Sequence, residues 1–66
     1  MAAIIIDENK KEYAYYSVFI PRIGERIYYN YEYGRVVFKV ETVEYHCEVF
    51  KHKHMNKIII KCIKVE

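Results

Sequence analysis

The chain has 66 residues, 53% of them apolar and 17% aromatic, with a formal net charge of +2. That length sets a ceiling of one domain, residues 1–66, with a thin core, and the apolar share is too high for a disordered chain. No apolar run approaches the roughly 18 residues of a membrane-crossing helix, the apolar opening is too short for a signal peptide, and the expected location is the cytoplasm.

Ala2 to Ile6 reads as a short strand, and the polar DENKK stretch turns the chain. Residues 13–20, YAYYSVFI, alternate as a second strand: Ala14, Tyr16, Val18 and Ile20 share one face, and Tyr13, Tyr15, Ser17 and Phe19 the other. Pro21 has no N–H for a ladder and ends that strand. Gly24 permits a positive φ, so PRIGE reads as a corner. From Arg26 the alternation returns, with Ile27, Tyr29, Tyr31 and Tyr33 on one face and Arg26, Tyr28, Asn30 and Glu32 on the other. NYEYG supplies a hairpin turn ending at Gly34.

The next strand slips phase. Val36, Phe38 and Val40 are apolar at even numbers; Val43, Tyr45, Cys47 and Val49 are apolar at odd ones. A one-residue slip inside a strand is the mark of a bulge, placed here at Glu41–Thr42. KHKHMN then reads as a polar loop and KIIIKCIKVE as the last strand, three consecutive isoleucines favouring strand over helix. A four-residue loop, Lys53 to Asn56, would pair Cys47 with Cys62, Val49 with Ile60 and Glu48 with Lys61.

Charge and tyrosine are unevenly spread. Residues 1–48 hold six bases and eight acids, residues 49–66 five lysines and one acid, and seven of the eight tyrosines lie between Tyr13 and Tyr33. Cys47, His52, His54 and Cys62 are zinc-ligand types, but this register separates the cysteines from the loop histidines, so no metal is expected. No nucleophile, base and orienter fall together and no glycine-rich phosphate loop exists, so neither a catalytic residue nor a cofactor is assigned.

Two binding readings remain. Tyr13, Tyr15, Phe19, Arg22, Arg26 and Tyr28 fall outside the expected core, and Tyr and Arg dominate protein-interface hot spots. They are the candidate protein-binding residues, for a partner protein or for a second copy in a homodimer. Alternatively Lys51, Lys53, Lys57, Lys61 and Lys64, on the C-terminal hairpin, are candidates for single-stranded nucleic acid. The acids among residues 1–48 and a pI near 8.5 weigh against that second reading.

FIPRIGERI followed by VVFKVETVEY resembles a loose group of short bacterial and phage proteins sharing the turn F-x-P-R-[IV]-G-[DE]-x-[IV]. Pro21, Arg22, Gly24, Glu25 and Ile27 match it, and the likeness spans residues 18–65. The resemblance implies a Src-homology-3-like barrel of five or six strands and brings no activity, so no site residue is carried over. The expectation is an all-β, small, strongly bent antiparallel barrel acting as a non-enzymatic binding module, in the manner of a phage or mobile-element accessory or inhibitor protein.

Overall fold

A computed structural model describes residues 2–66. The strands β1 (Ala2–Ile6), β2 (Glu12–Ala14), β3 (Arg26–Tyr31), β4 (Gly34–Phe50) and β5 (Lys53–Lys64) form one sheet of order β2-β1-β5-β4-β3. The sheet curls into a half-barrel, so the expected all-β, bent architecture is found. Three ladders are antiparallel; the fourth, β1 on β5, is parallel and sets Ile4 beside Ile59.

The bulge falls where the phase slip places it. Val40 pairs with Cys62 and Thr42 with Lys61, leaving Glu41 without a partner. The slip keeps Val40 and Val43 on one face, so a strand of 17 residues can bend and still face one core. The proline–glycine corner docks beside the bulge. Glu25 N donates to Arg22 O at 3.1 Å, closing a turn with Gly24 at φ +90°, while Gly24 N donates to Val40 O at 2.8 Å and Val40 N to Glu25 O at 2.9 Å. A Cβ on Gly24 would meet nothing within 4 Å, so the backbone conformation, not space, calls for glycine there.

Two expectations are corrected. The strand placed at residues 13–20 stops at Ala14. Tyr15 N still reaches Ala3 O, but Ser17 Oγ then accepts the Phe19 N–H at 3.1 Å and turns the chain away from the sheet. The β4–β5 register differs too. The turn is the two residues between Phe50 and Lys53, so Cys47 faces Asn56, Glu48 faces Met55, Val49 faces His54, and Cys62 faces Val40. Lys10 is the non-glycine residue with positive φ, so this turn has none of the left-handed residues that an Asn-Gly signature marks.

Ile5, Phe38, Val40, Ile58, Ile60 and Cys62 form the core, with Tyr13, Tyr15, Ile20, Ile27, Tyr29, Val36 and Val43 packed against it. Beyond Val43 the β4–β5 hairpin continues as an exposed arm, and the molecule measures 43 × 25 × 23 Å.

Candidate functional site

The two edge strands of the sheet, β2 and β3, each pair on one side only. Curling brings these edges face to face without a ladder between them. Side chains bridge the seam instead: the Tyr29 hydroxyl donates to Ala14 O at 2.9 Å. Behind it, Tyr13, Tyr29 and Phe38 pack edge-on, with ring centroids 5.0–6.2 Å apart.

Tyr29 and Tyr31 line hollows on both sides of this bridge, which makes the seam a groove with two halves. One half, about 460 Å³, is walled by Tyr15, Tyr16, Tyr28, Tyr29 and Tyr31, with Ala14, Ser17, Ile27 and Asn30 between them. The other, about 450 Å³, is walled by Tyr13, Tyr29, Tyr31 and Val36 and carries Lys11, Arg35 and Lys64. The Arg35 guanidinium also lies over the Tyr28 ring, 5.4 Å from its centroid, so it reaches from one half into the other.

Asp7 organises the basic half. Its side chain is buried, and Oδ1 accepts from Asn9 N at 2.8 Å and Lys11 N at 3.0 Å, while Oδ2 accepts from the Tyr13 hydroxyl at 3.2 Å with Lys64 Nζ 3.5 Å away. Burial pushes its carboxyl up, but the bonds from Lys11, Asn9 and Tyr13 and the Lys64 charge outweigh that and hold it below the ordinary value. Lys64 is held above its ordinary value, by the Tyr13 hydroxyl first and by Asp7.

The protein-binding candidates divide. Tyr15 and Tyr28 meet in the tyrosine half, and Tyr13 lines the basic half. Phe19, Arg22 and Arg26 are exposed and line neither. The faces of the first tyrosine run are reversed from expectation: Tyr13 and Tyr15 pack on the core, and Tyr16 is 92% exposed. Burial is affordable for the first two because each hydroxyl has a partner, Asp7 for Tyr13 and Phe19 O, at 2.7 Å, for Tyr15. Tyr16, Tyr29 and Lys11 were not singled out as binding residues from the sequence, and nothing in it set Tyr31 or Arg35 beside them; they meet only because the sheet curls.

Of the lysines, Lys53, Lys57 and Lys61 share the outer face of β5, Lys51 sits in the turn, and Lys64 is turned to the other face towards Asp7. Glu44 takes Lys61 at 2.9 Å. Among the described residues no three His, Cys, Asp or Glu side chains gather as metal ligands. Among the described residues no helix is long and apolar enough to cross a membrane. No family model, curated protein or solved structure matches the chain.

Proposed function

We propose that this chain is a non-enzymatic binding module that holds a protein partner in the seam between β2 and β3. The observation that carries this reading is the convergence of five tyrosines, Tyr15, Tyr16, Tyr28, Tyr29 and Tyr31, on one groove beside two free strand edges. Tyrosine rings give large contact area at low entropic cost, and a free edge offers backbone groups to an added strand. The turn at Pro21–Ile27 resembles that of short bacterial and phage proteins, which supports a Src-homology-3-like barrel in the role of an accessory or inhibitor protein; the cytoplasm is the location proposed for it.

Peptides selected from a random display library test the reading. Fluorescence polarisation should show their affinity falling by about tenfold or more in Tyr16→Ala/Tyr28→Ala. Both side chains are largely in water, at 92% and 53% exposure, so the fold survives their loss. Unchanged affinity overturns the proposal.

A second reading, single-stranded nucleic acid on the arm, is favoured by one observation: Lys53, Lys57 and Lys61 line one face together with exposed Phe50 and Met55. Opposing it, Glu44 and Glu48 share that face. Binding of a random oligonucleotide that falls steeply with salt supports this reading, and no binding at low salt removes it.

A further inference from the structure

Resting on the seam as a peptide site, we infer that its occupant is an extended acidic segment, which lays an apolar or aromatic side chain in the tyrosine half and a carboxylate between Lys11, Arg35 and Lys64. Tyr29 and Tyr31 line both halves, so the two are neighbours and one extended segment passing over the Tyr29–Ala14 bridge can reach both. β3 is six residues long and unpaired along its outer edge, which gives such a strand a backbone to follow.

The charge argument is local. Three cations line the basic half, whereas the chain as a whole is nearly balanced at +2. Two acids lie beside Lys64 and neither lines the hollow: Glu8 Oε2 accepts the Lys64 backbone N–H at 2.8 Å, and Asp7 is buried and already receives two backbone N–H groups and the Tyr13 hydroxyl. Asp7 fixes the wall rather than filling the hollow. Lys11 Nζ lies 5.2 Å over the Tyr13 ring and Arg35 over Tyr28, so both cations rest on aromatic faces without a carboxylate partner among the ion pairs of the described residues. A carboxylate entering there gains charge-assisted bonds, and Arg35 can meet it with two parallel donors. The tyrosine half has no charged residue in its own wall, and only Arg35, stacked on Tyr28, reaches its border. The groove therefore fixes direction as well as composition: the acid falls at the end of the segment nearest Lys11 and Lys64.

The experiment uses peptides selected by display against the whole chain, with synthetic variants measured by fluorescence polarisation. The expected result is a shared Asp, Glu or C-terminal carboxylate at one end of the selected peptides. Replacing it with Gln, or with the amide, weakens binding about 10- to 100-fold. Lys11→Glu/Arg35→Glu, two exposed positions, reverses the preference and selects a Lys or Arg at the same place. Peptides that need Tyr16 and Tyr28 yet carry no acid, and ignore the charge reversal, overturn this inference while leaving the seam as a binding site. Peptides indifferent to Tyr16 and Tyr28 overturn both. A phosphorylated peptide binding more than about tenfold tighter than the carboxylate one, with millimolar inorganic phosphate competing, overturns the carboxylate assignment in favour of a phosphate.

Discussion

The two ends of the β4–β5 hairpin carry the same alternation and meet opposite fates. From Val36 to Val43, opposite Ile60 and Cys62, the inward side chains are buried or half-buried; from Tyr45 to Val49, opposite Ile58, Asn56 and His54, the β4 side chains stand in water. The difference lies in what covers them. β1 reaches β5 only along Lys57–Lys61, and the tyrosine cluster lies over Phe38. Among the described residues no third strand pairs with the arm beyond Lys57, and past Ile58 its β5 side supplies Asn56 and His54 rather than more isoleucine. Alternation thus assigns a face, while burial needs a neighbour on that face.

Substitution at the two ends should separate them most sharply. Phe38 is fully buried and meets both Tyr13 and Tyr29, so Phe38→Ala should cost about 3–5 kcal/mol. That is most of the stability of so small a chain. Val49 is 64% exposed, and Val49→Ala should cost under about 0.5 kcal/mol. Urea midpoints measure both. If Val49→Ala proves as damaging as Phe38→Ala, the arm is covered in solution and the contrast is gone.

The cysteines sample the same contrast by chemistry. Cys47 is exposed on the arm, and Cys62 is buried, its thiol pushed up to about 11 by burial and then by the Glu41 and Glu8 charges. A thiol reagent at pH 8 should modify Cys47 quickly and Cys62 at least about 100-fold more slowly, until denaturant releases it. Equal rates, or a disulfide between the two, would break the register in which Cys62 faces Val40. Between about pH 9 and 11 the unfolded chain loses the Cys62 proton first, so stability declines across that window.

How much of this was legible depends on the range of the forces involved. Gly24 needs a positive φ and Pro21 lacks an N–H, and both facts are local, so the corner was readable. The slip from Val40 to Val43 is a pattern within one strand, so the bulge was readable too. The tight turn at Lys51–His52 was not, because it uses no glycine or asparagine; His-Lys polarity suggested a longer loop and moved the partner of Cys47 by six residues, from Cys62 to Asn56. That shift is even, which is why the faces stayed right while the pairs were wrong. The seam was the least legible feature. Lys11, Tyr31 and Lys64 are far apart in the chain, and only closure of the curled sheet sets them around one hollow. Tyr15 misled for a related reason: its hydroxyl finds Phe19 O only once the chain has turned at Ser17.

The smallest effect concerns acid. Asp7 lies in the covered half and Glu44 where the arm begins, and both carboxyls are held below their ordinary values of 3.8 and 4.5, Glu44 by Lys61 first and then His46. For both, the unfolded chain takes up the proton first as pH falls. Each therefore contributes stability that is complete above about pH 5 and is lost as pH drops through its lowered folded value. Their surroundings separate them. The Asp7 side chain is sealed from water and bonded to two backbone N–H groups and the Tyr13 hydroxyl, whereas the Glu44 pair with Lys61 is about half exposed and open to screening by salt. Thermal midpoints between pH 5 and pH 2 should therefore fall less steeply in Asp7→Asn than in the wild type, at low and high salt alike. Glu44→Gln should flatten the curve only at low salt. Should Glu44→Gln flatten it more than Asp7→Asn in high salt, the acid-sensitive ion pair lies at the root of the arm, and the turn beneath the basic half of the seam is not the rigid wall that the bonds to Asp7 make it.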